Sequence, residues 1–349
     1  MNPTIYDIAR RANLSHAAVS MALRGVGKLK NETRERIVRL AGEMGYIPNH
    51  AAVSLKNRRT KRIAFAAPAV EEMFPLLHSL ADACYRDGYE VVLMNISKAE
   101  ERQRDMFDHI VRGGYDAAVT FLYRYEPVAG RIQWLLSKRR PLAIIGPPTD
   151  FIPAPGLFSI PLDSTGVLRQ MVRLLLDKGH RRIGYTVGEG ALSGPQRIYS
   201  DIIGGELRLA GVDGWSHEVV CSGDVGLEDG YRTGLGLPEK KPGLTALQCF
   251  NDLFAIGCIR GLRERGLRVP EDVSIVGWVH LEVGRYQPTR LSTIDLRYGD
   301  VGRVAWSLLS RQLSDPDWER IPEPVRLEAL PVIGESIGVA PDARRLTDC

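Results

Sequence analysis

The chain has 349 residues, 44% of them hydrophobic, and a formal net charge of +4, which is typical of a globular protein with more than one domain. Its five cysteines are odd in number and contain no C-x-x-C pair, which argues against disulfides and against a zinc site. The sequence shows neither a signal peptide nor an apolar run of membrane-spanning length, so it predicts a cytoplasmic protein that is not secreted and contacts no membrane.

Residues 4–25, TIYDIARRANLSHAAVSMALRG, predict two short helices joined by a tight turn. Thr4 and Asp7 have the spacing of a capping box, so the first helix is expected to begin next to Thr4. Asn13 tolerates the left-handed conformation that ends a helix, and Ser15 is a good N-cap for the second helix. Two apolar stripes are expected to pack together, formed by Ile5, Ile8, Ala9 and Ala12 and by Ala18, Val19, Ala22 and Leu23.

A third helix is predicted over residues 31–44, with Ile37, Val38, Leu40 and Ala41 facing inward. Helices arranged in this way form a helix-turn-helix unit, which can enter the major groove of DNA. The charge distribution favours the same function. Residues 1–61 contain twelve Lys or Arg and four Asp or Glu and so carry +8, whereas the rest of the chain carries −4.

From about residue 61 onward, short apolar runs alternate with amphipathic segments, which predicts parallel strands separated by helices. The expected buried strands are RIAFAA, EVVLMN, AAVTFL and PLAIIG in a first set and RIGYTV, EVVCSG, LTALQCF and VSIVGW in a second. The motifs of P-loop enzymes, zinc proteases and α/β hydrolases are missing, and GEGALSG at residues 188–194 matches a dinucleotide fingerprint only in part. The sequence therefore assigns no catalytic residue, no metal ligand and no cofactor.

The N-terminal motif, together with NETRERIVRLAGEMGYIPN, KGHRRIGYTVG and CFNDLFAIGCIRGLRERGLRVPEDVSIVGW, resembles the LacI/GalR family of bacterial transcription regulators. The resemblance extends through nearly the whole chain in element order. It implies an N-terminal all-α helix-turn-helix domain followed by an α/β periplasmic-binding-protein-like core of two doubly wound subdomains. The implied boundaries are 1–47 for the DNA-binding domain, 48–60 for a hinge helix and linker, about 61–161 and 292–320 for the N-subdomain, and about 162–291 and 321–349 for the C-subdomain.

The resemblance also implies a homodimer that places two recognition helices in the half-sites of a pseudo-palindromic, double-stranded operator. By position, the base-reading residues are His16, Ala17 and Met21. Since Ala17 and Met21 cannot hydrogen-bond to base edges and can only contact thymine methyl groups, we expect direct readout that is weaker or more tolerant of A·T pairs than in a relative that carries Arg. Contacts to the DNA backbone are expected from Thr4, Tyr6, Ser15, Ser20, Thr33, Tyr46 and Asn49.

The hinge segment contains Leu55 and Lys56. A helix of about eight residues does not hold alone in water. In the family this helix pairs with its two-fold mate and inserts a leucine into the minor groove, and Leu55 occupies that position. Lys56 extends the positive charge of the DNA-binding domain. Periodicity alone leaves a frayed linker as the alternative.

The core is expected to bind a small-molecule effector, with sugars and their derivatives as one candidate class. The residues that the resemblance assigns to this site are Phe74, Arg197, Asn251, Asp252, Trp278 and His280. Val279 stands where relatives carry an aspartate for sugar hydroxyls, and Gly146 and Pro147 replace a second expected acid. Either the effector is less rich in hydroxyls or the site has decayed. Asn251 is equally well explained as a helix N-cap.

The function expected from these observations is that of a sequence-specific transcriptional regulator, a repressor of bacterial genes acting at the nucleoid, whose operator affinity responds to an effector between the subdomains. Two alternatives stay open: a cytosolic α/β enzyme with an appended DNA-binding arm, and a DNA-binder that has lost its effector response. A dimer is expected rather than a tetramer, because the C-terminal tail GESIGVAPDARRLTDC has no apolar heptads.

Overall fold

A computed structural model describes residues 3–23, 25, 27–46, 59–67, 71–96, 99–148, 150–188, 195–212, 218–221, 226–315 and 317–341, apart from the side chains at 187, 195–197 and 218–221. The chain divides into two compact units, Met1–Thr60 and Lys61–Cys349, which we call the head and the core. In the parts of the chain that the structure describes, no helix has the length and apolarity needed to cross a bilayer.

The head contains the predicted helices, α1 (Ile5–Ala12), α2 (His16–Leu23) and α3 (Asn31–Glu43). The capping box is present: the Asp7 backbone N–H donates to the Thr4 hydroxyl at 3.4 Å, and the Thr4 N–H donates to the Asp7 carboxylate at 2.9 Å. Hydrogen bonds from Thr4 lower the pKa of Asp7. Asn13 ends α1 with φ 53°, in the left-handed conformation predicted for it.

The core of the head is small and apolar, and it is formed by all three helices: Ile8, Ala9, Ala12, Val19, Ala22, Ile37 and Ala41 are buried. Both predicted stripes are therefore confirmed in outline. Val38 is an exception, since it is 51% exposed and the prediction that it faces inward is wrong. The helical period explains the difference, because Ile37 and Ala41 lie four residues apart on one face of α3 and Val38 lies about 100° away from Ile37.

The first sheet of the core has five parallel strands in the order β2-β1-β3-β4-β5. Their bounds are Arg62–Ala67 (β1), Glu90–Asn95 (β2), Ala117–Phe121 (β3), Leu142–Ile145 (β4) and Leu157–Ile160 (β5). The predicted strands β1, β3 and β4 are largely buried as expected, and β5, which the sequence analysis did not predict, is buried as well. β2 is an edge strand with alternating exposure, and Leu93 is 54% exposed, so the prediction of a buried strand is wrong there.

The second sheet has four parallel strands in the order β10-β9-β7-β8. Read from β8 to β10, the second strand of this sheet comes first in the order, followed by its first, third and fourth strands. The first sheet has the same order, which is the doubly wound arrangement. The strands are Ile183–Gly188 (β7), Glu218–Cys221 (β8), Ala246–Gln248 (β9) and Ser274–Val276 (β10). Each sheet thus has a switch point where neighbouring strand ends diverge and a ligand can bind.

Helices cover the faces of these sheets, because parallel strands need crossover connections and buried faces. Around the first sheet they are α4 (Phe74–Arg86), α5 (Glu100–Arg112), α6 (Ala129–Ser137) and α12 (Tyr298–Ser314). Around the second they are α7 (Thr165–Asp177), α8 (Pro195–Leu209), α9 (Leu227–Lys240), α10 (Asp252–Glu264) and the short α11 (Glu282–Arg285). Short 3₁₀ turns lie at Glu71–Met73 and Glu126–Val128.

The chain passes between the two subdomains through four short strands. β6 (Leu162–Asp163) pairs in parallel with β12 (Leu327–Glu328), and β11 (Thr293–Asp295) pairs antiparallel with β13 (Leu330–Val332). One apolar cluster extends from the first sheet to the second and includes Phe65, Val119, Tyr185 and Trp278. The two subdomains therefore share a continuous core.

Helices α9 and α10 lie against each other at glycines. A Cβ added at Gly234 would lie 2.3 Å from the carbonyl oxygen of Cys258, and one added at Gly257 would lie 2.0 Å from that of Leu227. A Cβ added at Gly230 or at Gly261 would lie 2.1 Å or 2.3 Å from a backbone carbonyl oxygen of the facing helix. Since the obstructing atoms belong to the backbone, they cannot rotate away, and this helix pair accepts no side chain at these positions.

Candidate functional sites

The N-terminal end of α2 forms an exposed polar edge of the head. Ser15 lies just before the helix, and its hydroxyl accepts a hydrogen bond from the Ala18 backbone N–H at 3.2 Å, so it caps α2 as predicted. His16 and Ala17, two of the three predicted base-reading residues, are both exposed. In helix-turn-helix proteins, the N-terminal residues of the recognition helix contact base edges in the major groove. The exposed N-terminal end of α2 is suited to that contact.

The structure brings two of the predicted DNA contacts together. The rings of Tyr6 on α1 and His16 on α2 lie 5.5 Å apart between centroids and are tilted by 31°. Tyr6 is 63% exposed, which is unusual for an aromatic side chain and leaves its hydroxyl open to a partner. The third predicted base-reading residue, Met21, is only half-buried, and its sulfur packs beside Gly27.

The other residues predicted to contact DNA have mixed surroundings. Thr4 is exposed but engaged in its helix cap, while Ser20 and Thr33 are half-buried. Tyr46 is also half-buried and packs against the core of the head. Asn49, Leu55 and Lys56 lie outside the residues that the structure describes, as does most of the predicted hinge segment.

Aromatic side chains gather where the carboxyl ends of the strands of both sheets meet. The ring centroid of Tyr199 on α8 lies 4.8 Å from that of Trp278, which follows β10, and 6.3 Å from that of Tyr185 on β7. The ring centroid of Phe121, at the end of β3, lies 6.3 Å from that of Tyr298, at the start of α12. The carboxyl ends of parallel strands are where open α/β sheets bind ligands. We call this set of rings the aromatic crevice.

Polar partners in the aromatic crevice are few. The hydroxyls of Tyr199 and Ser164 lie 2.9 Å apart and share a hydrogen bond. Burial raises the pKa of Tyr199, and burial, followed by smaller contributions from Glu72 and Tyr199, raises the pKa of Tyr298. Both phenols are therefore neutral hydrogen-bonding groups at physiological pH.

Asp252, predicted to contact the effector, has no exposed surface. One of its carboxylate oxygens accepts from the Thr293 hydroxyl at 2.5 Å, and the other accepts from the Leu281 backbone N–H at 2.6 Å. Direct effector contact by Asp252 stays a prediction, and the structure shows that each of its oxygens already accepts one hydrogen bond inside the protein. Asp252 fixes the segment after β10 against the crossover strand β11, and a Cβ at Gly277 would collide with it.

The buried position of Asp252 predicts a pH-dependent stability. Burial raises its pKa from 3.8 to about 6. Asp252 therefore contributes its full share of the free energy of unfolding at a pH below 3.8, its pKa in the unfolded chain. This contribution, on the order of 3 kcal/mol, is lost as the pH rises through about 6. Asp252→Asn cannot titrate in this range. Urea unfolding should show that the stability advantage of the wild type over this variant shrinks between about pH 4 and about pH 7; a constant difference would contradict the assignment.

The remaining predicted effector residues are placed as follows. The Asn251 side chain accepts from the Phe254 backbone N–H at 2.7 Å, so the helix-cap interpretation fits it. Trp278 is buried in the aromatic crevice, whereas Phe74 begins α4 and is 63% exposed. Arg197 lies in the first turn of α8, but its side chain is outside the described part of the chain.

His280 lines a cavity of about 230 Å³ beside the aromatic crevice, together with Pro75, Val279, Asp295, Arg297, Tyr298, Gly299, Asp300 and Arg303. The His280 imidazole lies 3.4 Å from the Asp295 carboxylate, and the hydrogen bond to Asp295 raises the pKa of His280. Both arginines pair with Asp300. Val279 has φ 95°, a strained value for a β-branched residue, and it is held by a 2.8 Å hydrogen bond to the Ile294 carbonyl.

Sequence reasoning missed one acidic residue of this region. Glu72, in the 3₁₀ turn after β1, is only 6% exposed. Burial raises the pKa of its carboxyl group. The motif EEM gave no reason to separate Glu72 from its exposed neighbour Glu71, because only the fold buries one of them.

Two family models match the chain. One, described as bacterial regulatory proteins of the lacI family, matches residues 4–49, and the other, described as a periplasmic binding protein-like domain, matches residues 172–337. The HTH-type transcriptional repressor PurR of Mannheimia succiniciproducens is 27% identical over 344 residues, covering 96% of this chain and 98% of that protein. PurR of Escherichia coli O1:K1 / APEC is also 27% identical, with 97% of each chain covered.

The chain belongs to the LacI/GalR family of bacterial transcriptional regulators. Solved structures agree with the LacI/GalR fold. A lac repressor dimer bound to operator and the anti-inducer ONPF matches with a TM-score of 0.79 and 20% identity, over 97% of this chain and 100% of that one. A LacI-family regulator from Silicibacter pomeroyi matches with a TM-score of 0.78 and 23% identity, over 96% and 99%.

Membership of the LacI/GalR family confirms the predicted fold class, in which a helix-turn-helix head precedes a periplasmic-binding-protein-like core. It also decides between two of the functions that the sequence left open. The family consists of regulators, so the chain is not an enzyme with an appended DNA-binding arm. Among the described residues, no group of three His, Cys, Asp or Glu side chains is placed to hold a metal ion.

Proposed function

We propose that this protein is a sequence-specific transcriptional repressor that binds operator DNA through its head and responds to a small molecule bound in its core. The observation that carries the proposal is the exposed N-terminal end of α2, capped by Ser15 and presenting His16 and Ala17 on a unit that the lacI family model matches. The positive charge of residues 1–61 supports it, because phosphate contacts supply most of the affinity for DNA.

The experiment is selection of a duplex from a random pseudo-palindromic library, followed by a binding titration at two salt concentrations. We expect affinity to fall by about a hundredfold or more between 50 and 200 mM salt, because bound Lys and Arg release counterions from DNA. His16→Glu is expected to weaken binding at least about tenfold, since a carboxylate at this position repels phosphates. Failure to select any duplex would contradict the proposed function.

A matched control is available in the core. His109 on α5 is exposed, and His109→Glu changes the net charge of the chain by the same amount without touching the head. Its affinity for the selected duplex should equal that of the wild type. Equal losses in the two variants would mean that overall charge, and not the end of α2, determines binding.

We assign the homodimer contact to one exposed apolar surface of the core. It consists of Phe74 and Tyr85 on α4 and Leu93 on the edge strand β2, which are 63%, 82% and 54% exposed. Leu93 and Val91 point to the same face of the sheet, and Val91 packs into the cluster that contains the inner face of α4. Exposed apolar patches of this kind mark interaction sites, and a lac repressor of the same fold is a dimer.

The effector is proposed to bind in the aromatic crevice, where closure of the two subdomains couples ligand binding to the geometry of the paired heads. Trp278 and His280, the cavity beside them and the position of Arg197 at the start of α8 support this site. Leu55 and Lys56 are proposed to act as hinge contacts to the operator, as the family resemblance implies. We place the protein at the nucleoid in the bacterial cytoplasm.

A further inference from the structure

We propose that Lys61 is a positioning residue for operator recognition, because it fixes the direction in which the chain leaves the core for the linker. The inference rests on the proposed function, since it concerns how the same head is held at the operator. Lys61 is the first residue of the core and is bonded to Thr60, the last residue of the head unit. Its backbone N–H, its backbone carbonyl and its ammonium group each contact a different part of the core.

The backbone of Lys61 is held on both sides. Its N–H donates to the Asp116 carboxylate at 3.0 Å, and its carbonyl accepts from the Glu90 N–H at 2.8 Å. Asp116 is buried just before β3, and Glu90 begins β2. Because a peptide group is planar, the hydrogen bond to Asp116 also fixes the plane of the peptide that joins Thr60 to Lys61. The last peptide of the linker is therefore oriented by the first sheet.

The conformation of Lys61 is unusual for a residue with a side chain. Its φ is 56°, in the left-handed region that glycine adopts readily and other residues seldom do. Such conformations persist where the surrounding contacts determine them, and they cluster at functional sites. The hydrogen bonds to Asp116 and Glu90 are contacts of this kind. The turn at Lys61 is thus a held conformation rather than a freely rotating joint.

The Lys61 side chain adds a third contact. Its Nζ lies 3.9 Å from the centroid of the Tyr89 ring and donates to the Asp87 carbonyl at 3.3 Å. Tyr89 is buried, and its ring centroid lies 4.8 Å from that of Trp306 on α12. The Trp306 indole N–H donates to the Asp87 carboxylate at 2.7 Å. A cation over an aromatic ring gains electrostatic attraction, so the ammonium group is attached to residues that are themselves packed and hydrogen-bonded.

We call this set of residues the Lys61 anchor: Lys61, Asp87, Tyr89, Glu90, Asp116 and Trp306. All of them after Lys61 belong to the subdomain of the first sheet, where they precede or begin its strands or lie on the helix α12 that covers it. A linker fixed there follows that subdomain when the core changes shape. In a dimer, both linkers then start in one defined geometry, so binding two half-sites requires less ordering and the affinity for a matched operator rises.

The test compares Lys61→Gly with Arg139→Gly in the full chain. Arg139, in the turn before β4, is exposed and has φ 53°, so its variant removes the same charge and the same kind of left-handed residue outside the anchor. Binding is titrated on the selected duplex and on a scrambled duplex of the same length, at several salt concentrations. Since glycine adopts both φ values without strain, the two variants should melt within about 3 °C of the wild type by calorimetry.

Lys61→Gly should weaken binding to the selected duplex about tenfold and to the scrambled duplex by less than about twofold, with an unchanged salt dependence. Arg139→Gly should leave both affinities within about twofold of the wild type. Asp116→Ala keeps the Lys61 charge and removes the acceptor of its N–H, and it should weaken binding to the selected duplex about threefold or more. If one of the two anchor variants fails to fold, the other decides.

Equal losses on both duplexes, with a salt slope lowered by about one for each copy of the chain, would show that Lys61 contacts a phosphate directly and would overturn the proposal. Unchanged binding of the anchor variants, or an equal loss in Arg139→Gly, would overturn it too. A wild type for which no duplex can be selected contradicts the proposed function instead. A wild type that binds its duplex beside an equally tight Lys61→Gly removes the positioning role alone.

Discussion

Gly234→Ala is expected to destabilise the core by about 3 kcal/mol, because a methyl group there lies 2.3 Å from a backbone carbonyl of α10. The helices would have to separate, and separation would open the packing of Phe254 and Cys258 in the buried cluster beneath them. For a domain of this size, such a loss lowers the melting temperature by roughly 6–12 °C. Differential scanning calorimetry of the full chain measures it.

Gly236, two residues further along the same helix, is the matched control. A Cβ there meets only the flexible side chain of Lys240, at 3.5 Å or more. Gly236→Ala should therefore stabilise the protein by up to about 1 kcal/mol, since alanine has the higher helix propensity. If both variants lost stability equally, helix propensity or crowding elsewhere would be responsible, and the close contact between α9 and α10 would be refuted.

The double variant Tyr85→Asp, Leu93→Asp is expected to be a monomer that binds operator about a hundredfold more weakly. Two charges on each copy would face each other across a two-fold axis, and burying them unpaired is costly. Once the dimer is lost, the two heads no longer share one effective concentration at the half-sites, and their combined affinity falls to that of a single head. Sedimentation velocity and a binding titration on the selected duplex measure the two effects.

Ile152→Asp provides the comparison for this variant. Ile152 is 62% exposed, follows β4 and does not belong to the surface of Phe74, Tyr85 and Leu93. It should leave both the dimer and the affinity for DNA unchanged. A dimeric double variant, or a monomeric one that keeps full operator affinity, would show that the assigned surface is not the contact on which DNA binding depends.

Local signals in the sequence predicted the head well. The Thr4 and Asp7 capping box, the left-handed Asn13 and the Ser15 cap are all formed, because each depends on residues within four positions of one another. Val38 was assigned to the wrong face, since apolar character alone does not give the orientation of a residue at the margin of a helix face.

The strands of the core were predictable as apolar runs, but their places in the sheets were not. EVVLMN reads like the buried strands beside it, and only the order of the sheet makes β2 an edge whose Leu93 stays exposed. Strand order depends on crossover connections that local periodicity does not encode. The same limit hid the glycine contacts of α9 and α10, although two G-x-x-x-G spacings, at 230–234 and 257–261, were visible in the sequence.

The site residues show the largest gap between sequence and structure. The acid of CFND was expected to face a ligand, but its partners Thr293 and Leu281 come from segments 41 and 29 residues away and close around it. Glu72, by contrast, carries no distinguishing motif and is separated from Glu71 only by burial. Long-range contacts decide which polar side chains face a ligand, and a single sequence does not specify them.

The apolar cluster that extends from one sheet of the core to the other has a thermodynamic consequence. The proposed parting of the subdomains on ligand entry would expose Tyr185, Trp278 and their neighbours to water, so we expect opening to carry a positive heat-capacity change like that of partial unfolding. Ligand capture, which reverses this hydration, then carries a negative one. Van't Hoff plots of effector affinity will therefore be curved, and cooling will weaken the closed form through the same contacts that hold it together at growth temperature.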